Sequence, residues 1–101
     1  MSYSIEILRS ARREWKKLDT NIKRQAIAKL NALGDNPRVA SARLSRMPDC
    51  YRVKLRDAGY RIIYRVIDDK LVILIIAAGR RDSSKDDIYS TAERRLRDLN
   101  G

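Results

Sequence analysis

Two neighbouring stretches of the chain alternate in polarity, and together they leave little choice of local structure. Tyr51, Val53 and Leu55 are interleaved with Arg52, Lys54 and Arg56; shortly afterwards Tyr60, Ile62, Tyr64 and Val66 are interleaved with Arg61, Ile63, Arg65 and Ile67. A period of two belongs to a β-strand with one face buried. Between the runs, Arg56-Asp57-Ala58-Gly59 reads as a turn ending in the residue with the freest backbone, so an antiparallel hairpin is expected. Pairing Leu55 with Tyr60 opposes Val53 to Ile62 and Tyr51 to Tyr64. A slip of one residue would mix the apolar and cationic sets, so burial selects this register. The same register sets Lys54 opposite Arg61, with Arg52 two residues along the same face. Like charges so placed cost a few tenths to about 1 kcal/mol per cross-strand pair, and a chain with no anion to meet would gain by avoiding them.

A third run, Leu71 to Ala78, follows Asp68-Asp69 and is apolar on both faces, as suits a strand covered on both sides. It is expected to return beside the second strand with Ala77 opposite Tyr60, so that Gly79-Arg80-Arg81 leaves the sheet near Lys54 and Arg61. Upstream, Tyr3, Ile5 and Ile7 alternate with Ser4 and Glu6 and predict a first strand. Ala11, Trp15 and Leu18 then recur at helical spacing. Asp19 can cap a second helix with the stripe Ile22, Ala26, Leu30 and Leu33, which Gly34 and Pro37 end. These helices predict a hairpin laid on the Tyr51, Val53, Ile62 and Tyr64 face, with Trp15 in the interface. Lys23, Arg24 and Lys29 form a one-signed basic face suited to phosphates. Residues 35–49 are a long connection pinned by Leu44 and Met47, with Arg43 and Arg46 exposed. Ile88, Tyr89, Ala92, Leu96 and Leu99 predict a short, loosely docked C-terminal helix, with Asp86 and Asp87 at its start and Arg94, Arg95 and Arg97 near its end. The expected fold is therefore α+β in one domain over residues 1–101: a small antiparallel sheet, an N-terminal helical hairpin packed on one face and a short C-terminal helix.

The formal charge of +10 on 101 residues and an isoelectric point near 10.3 point to a polyanion, nucleic acid above all. No apolar run is long enough to span a bilayer, and no signal-peptide pattern opens the chain. The single cysteine, Cys50, has no internal disulfide partner, which fits a reducing cytoplasm, and it reads as a small buried residue at the mouth of a strand. Histidine is absent, as are paired CxxC cysteines, a P-loop and a GxGxxG motif. No metal site and no cofactor are expected. Any catalysis must use Lys, Arg, Tyr and the few acids.

Two readings of Arg52, Lys54, Arg61 and Arg81 compete: a surface that only holds RNA, and a ribonuclease site. Cleavage through the substrate's own 2′-hydroxyl needs a base, stabilisation of the phosphorane and a proton for the leaving 5′-oxygen. Arginine clamps phosphate but holds its proton too tightly to act as base. Lysine can serve, and Lys54, set beside Arg52 and Arg61, is the candidate for proton abstraction.

At these residues the chain resembles a known family. The run Met47-Pro48-Asp49-Cys50-Tyr51-Arg52-Val53-Lys54-Leu55-Arg56, then Gly59-Tyr60-Arg61 and Gly79-Arg80-Arg81, is similar to the RelE toxins of bacterial toxin-antitoxin systems. Glu14-Trp15, Lys17-Leu18 and Asn36-Pro37-Arg38 extend the likeness over nearly the whole chain. The resemblance implies a ribosome-dependent, metal-independent endoribonuclease that cuts mRNA in the decoding site. It implies proton abstraction by Lys54, stabilisation of the phosphorane or leaving group by Arg61 and Arg81, and stacking of an mRNA base on Tyr89. Arg52, Arg56, Arg65 and Arg80 would hold RNA phosphates. Its implied partners are an acidic antitoxin of the RelB kind, the small ribosomal subunit and mRNA. Arg52 replaces a second lysine of the RelE pattern, which moves that position from proton transfer toward phosphate clamping. The segment between Arg81 and Tyr89 is about two residues longer than in that pattern. The related ParE toxins share the fold but inhibit DNA gyrase by binding. A ParE-like inhibitor and a non-catalytic RNA-binding module are therefore the alternatives.

Overall fold

The computed structural model describes residues 3–34, 36–55, 59–80 and 87–100. Four strands form one sheet, β1 (Ser4–Ile7), β2 (Cys50–Lys54), β3 (Tyr60–Ile67) and β4 (Val72–Arg80), in the order β1-β4-β3-β2. Between β1 and β2 run α1 (Arg12–Lys17) and α2 (Thr20–Ala32); α3 (Ile88–Asn100) follows β4. Single 3-10 turns, Arg9–Ala11 and Ala40–Ala42, lead into α1 and bend the long connection.

The hairpin takes the register that burial demands: Tyr51 opposes Tyr64, Val53 opposes Ile62 and Lys54 opposes Arg61. The Leu55 amide donates to the Tyr60 carbonyl at 3.0 Å, and Gly59 adopts a φ of 66°, so the glycine closes the turn where a side chain would be strained. Tyr51 and Tyr64 stack with ring centroids 5.6 Å apart. Around them Leu18, Ile22, Ala26, Leu30, Ile62, Ile73 and Ile75 build one core beneath the helices, with Trp15 half-buried against it. Asp19 caps α2, its carboxylate accepting from the Asn21 amide at 3.3 Å, and Gly34 follows the helix with a φ of 56°. A second core lies on the other face of the sheet, where Met47, Cys50, Ile63, Ile76 and Ala77 meet Ile88, Ala92 and Leu96 of α3.

Several expectations are corrected. The helical pair is not the N-terminal element, because β1 comes first, and the sheet is mixed, because β1 runs parallel to β4. Tyr60 faces Arg80 instead of Ala77. The β3–β4 connection is longer than two residues, with Leu71 at a φ of 53°, and a bulge between Ile63 and Tyr64 shifts the register further. Leu99 is 41 % exposed and lies outside the buried stripe of α3. That helix is not loosely docked. Arg95 (Nη2) reaches Glu14 (Oε2) of α1 at 2.6 Å, its Nη1 reaches Oε1 at 2.8 Å, and Nη1 also donates to the Ile76 carbonyl at 2.9 Å.

At the far end of the sheet from Lys54, Arg38 bridges Asp49 at 2.6 Å and Asp68 at 2.7 Å, while the Tyr3 hydroxyl donates to Asp68 at 2.7 Å. These hydrogen bonds hold the Asp68 carboxyl below the usual carboxylate range, Tyr3 contributing most. The buried Tyr64 hydroxyl donates to the Pro37 carbonyl at 2.7 Å, tying the long connection to the sheet. Among the described residues no helix is long and apolar enough to cross a membrane.

Candidate active site

Alternation along the hairpin sends Arg52, Lys54, Arg61, Ile63 and Arg65 to the face that carries the second core, since Cys50 and Ile63 are buried in it. Lys54 is exposed and Arg52 half-buried. Arg61 is only 9 % exposed, and its Nε is sealed from solvent with no hydrogen-bond partner. An orphaned buried N–H costs about 1–3 kcal/mol, so the fold holds Arg61 in place at a loss. On the strand flanking Arg61 from the other side stands Gly79, which faces it directly. A Cβ added at Gly79 would meet nothing within 4 Å. Arg61 thus has a cation opposite it on one strand and a residue without a side chain opposite it on the other. The end of β2 is fixed by Lys29, whose Nζ donates to the Lys54 carbonyl at 2.6 Å. That lysine, read from the sequence as part of a free basic face, is therefore engaged in the scaffold.

The other expected residues divide. Arg65 shares the face of Arg61 but lies roughly 13 Å along the strand, at about 3.3 Å per residue, beyond the fully buried Ile63. Its Nε is likewise sealed and unpartnered. Arg80 is on the opposite face, its guanidinium 5.2 Å from the centre of the Tyr60 ring in a cation–π contact. The structure does not bring Arg65 or Arg80 to the Lys54 patch. Arg56 and Arg81 lie outside the described residues. Tyr89 sits in the first turn of α3, half-buried against the second core, and lines a cavity of about 160 Å³ with Leu44, Ser45, Arg46, Met47 and Glu93. Because α3 covers the face that bears Lys54 and Arg61, Tyr89 and the patch belong to the same side of the sheet.

Sequence reasoning missed three contributors. Gly79 reads as punctuation after a strand, yet it is a paired strand residue whose missing side chain opens the flank of Arg61. Glu14 and Arg95 read as a family marker and a dipole-compensating charge, yet they join two helices to β4. Only the cross-sheet contact of residues 81 apart in sequence reveals them. Cys50, at the other end of β2 opposite Arg65, is a fully buried thiol, which burial pushes up to about 11, so it offers no nucleophile near neutrality. Among the described residues no three His, Cys, Asp or Glu side chains come together as a metal donor set.

Residues 5–84 match the family model of the ParE toxin of the type II toxin-antitoxin system parDE. The chain is 40 % identical over 96 residues to the mRNA interferase toxin RelE of Escherichia coli K12, covering 95 % of this chain and 99 % of that one. A doubly arginine-to-alanine substituted E. coli RelE in the free state superposes with a TM-score of 0.83 at 39 % identity, covering 94 % of this chain and 98 % of its own. RelE in the intact E. coli RelBE toxin-antitoxin complex superposes with a TM-score of 0.73 at 39 % identity, covering 78 % of this chain and 96 % of that one. The alternating hairpin, the cationic end of the sheet and a likeness that spans nearly the whole length agree: this chain belongs to the ParE toxin family of type II toxin-antitoxin systems, on its RelE side.

Proposed function

We propose that the protein is the toxin of a toxin-antitoxin pair and acts as an mRNA interferase, cutting mRNA in the ribosomal A site. The observation that carries the reading is Arg61: a nearly buried arginine whose Nε has no partner among the described residues, opposite Lys54 on one strand and Gly79 on the other, in a chain so similar to RelE. Lys54 takes the proton of the 2′-hydroxyl, whose oxygen attacks the adjacent phosphorus as the bond to the 5′-oxygen breaks, leaving a 2′,3′-cyclic phosphate and a 5′-oxygen that takes its proton from water. Arg61 and Arg81 hold the charge that gathers on the phosphoryl oxygens, and Arg52 clamps the phosphate. Tyr89 stacks on a base and fixes the attacking ribose relative to the phosphorus. Arg56, Arg65 and Arg80 contribute positive field to the flanking RNA. The ribosome presents the message, so the protein works in the cytoplasm, and an acidic antitoxin of the RelB kind neutralises it, as RelB accompanies E. coli RelE. No metal ion or cofactor takes part.

Ribosomes programmed with a defined mRNA and mapped by primer extension test this reading. Cuts confined to the A-site codon support it. Binding without cuts would leave a non-catalytic RNA-binding module. Gyrase inhibition without cuts would favour the ParE-like alternative, to which the description of the matching family gives some weight.

A further inference from the structure

Pairing between β1 and β4 ends at Ile7 opposite Ile75, and the Leu8 amide closes it by donating to the Ile75 carbonyl at 2.9 Å. Strand β4 continues to Arg80, and among the described residues no strand pairs with that edge beyond Ile75. There the Ile76 carbonyl accepts from Arg95 at 2.9 Å and the Ala78 amide donates to Glu14 at 3.3 Å, while the two side chains grip each other through two contacts of 2.6 and 2.8 Å. The pair is largely shielded, with Arg95 at 12 % and Glu14 at 33 % side-chain exposure. One ion pair thus stands in for a missing fifth strand and joins α1, β4 and α3. Simple adhesion of α3 does not require it, because Ile88, Ala92 and Leu96 already bury an apolar stripe. A shielded ion pair is a poor way to gain stability and a good way to set a register. An apolar stripe alone would tolerate sliding and rotation. The bidentate contact fixes both. What it fixes is specific: α3 bears Tyr89 less than two turns before Arg95.

We propose that Glu14 and Arg95 are positioning residues of the nuclease: by capping the open edge of β4 they set the place of Tyr89 on α3 relative to the Lys54–Arg61 patch. This rests on the cleavage reading above. A displacement of about 1 Å at a reacting centre can cost as much as 10²-fold in rate, so losing the clamp should slow the chemical step more than it weakens ribosome binding.

The test is single-turnover cleavage on saturating programmed ribosomes. Arg95→Met, which keeps the length of the stem and removes the donors, is expected to lower the maximal rate about 10-fold or more and to change the apparent affinity for ribosomes less than about twofold. Arg95→Lys should restore part of the rate. In a Tyr89→Ala background the further effect of Arg95→Met should shrink below about threefold, because the residue acts through the tyrosine. An unchanged maximal rate, or an equal loss in both backgrounds, would overturn the proposal. If Arg95→Met does not fold, Glu14→Gln serves, since its amide oxygen still accepts from Ala78 or Arg95 but without the charge. A lower rate with faster amide exchange at Ala78 and along α3 is expected. No change in either would again overturn the clamp. Wild-type protein in the same assay separates the two claims. If it leaves mRNA intact the cleavage reading fails; if it cuts and these variants cut as well, only the clamp fails.

Discussion

Replacing Arg61 with methionine should make the protein more stable and end its activity. Arg61 is 9 % exposed as a residue, faces Lys54 across the hairpin, and has a sealed Nε with no hydrogen-bond partner among the described residues. Relieving an unsatisfied buried donor returns about 1–3 kcal/mol. Removing a like-charged cross-strand neighbour adds a few tenths to about 1 kcal/mol. Methionine keeps an unbranched stem against the sheet, so little packing is lost, but some reorganisation of the site will offset part of the gain. The net expectation is about 1–2 kcal/mol of stabilisation. For a domain of this size 1 kcal/mol moves the midpoint by roughly 4–8 °C, so thermal unfolding followed by circular dichroism resolves it easily. Cleavage on programmed ribosomes should fall about 10²-fold or more, as expected when one group that stabilises the phosphorane is removed. The two measurements must move in opposite directions. A lower melting temperature would mean that Arg61 supports the native fold, and undiminished cleavage would mean that its strained position serves something other than the phosphate.

Lys54→Met should lower the cleavage rate about 10²-fold or more through loss of proton transfer while leaving the melting temperature nearly unchanged, since Lys54 is exposed; full activity in the single-turnover assay would remove it from the mechanism. Gly79→Val fills the open flank of Arg61 with a side chain that strands favour, so urea unfolding should show equal or greater stability while cleavage drops, and cleavage at the wild-type rate would show that the substrate does not approach there. Burial pushes the Cys50 thiol up to about 11 and the Tyr64 hydroxyl up to about 12. The unfolded chain loses these protons first, so both contributions are intact below pH 9 and are lost as pH rises through about 9 to 12. Urea midpoints should therefore fall over that window, and Cys50→Ala should remove the part that begins near pH 9. Tyr64→Phe breaks the buried bond to the Pro37 carbonyl and should cost about 1–2 kcal/mol by thermal unfolding; no loss would mean that the long connection is held by other contacts.

The parts of the fold written as a period of two could be read from the sequence, and those written otherwise could not. The β2–β3 register followed from Tyr51, Val53, Ile62 and Tyr64, because a slip of one residue would set them against the cationic residues and a two-step slip would not fit the short turn, and with it came the opposition of Lys54 and Arg61. Strand β4 is apolar on both faces, so nothing in its pattern marks a bulge, and the expected partner of Tyr60 missed by three residues. That error matters for the site. It is the true register that turns Arg80 onto the Tyr60 ring and brings Gly79 beside Arg61. The direction of β1 was equally hidden, since Ile5 and Ile7 bury the same way in a parallel or an antiparallel pair. Arg65 alternates like Arg61, but only the burial of Ile63 beneath α3 separates the two. Charged residues that act as structure, such as Glu14 and Arg95, leave no periodicity to find.

The distribution of ion pairs explains why the cationic patch lies where it does. At one end of the sheet Arg38 gathers Asp49 and Asp68, and near the open edge of β4 Arg95 takes Glu14. The Arg38 contacts are exposed by 39 to 58 % and individually contribute little energy; their value is to hold the long connection, the β3–β4 turn and β1 in one arrangement. At the opposite end, among the described residues, neither Lys54 nor Arg52 nor Arg61 has an acidic partner, although the chain carries 13 acids. A chain with that many carboxylates could have neutralised the patch with one substitution at Gly79, where there is space for a side chain. Leaving that position bare keeps three cations together on one face of the sheet, with Arg61 already largely buried. In such a site little solvent or side-chain rearrangement remains when charge gathers on a phosphoryl group, and this preorganisation is where electrostatic catalysis gains most.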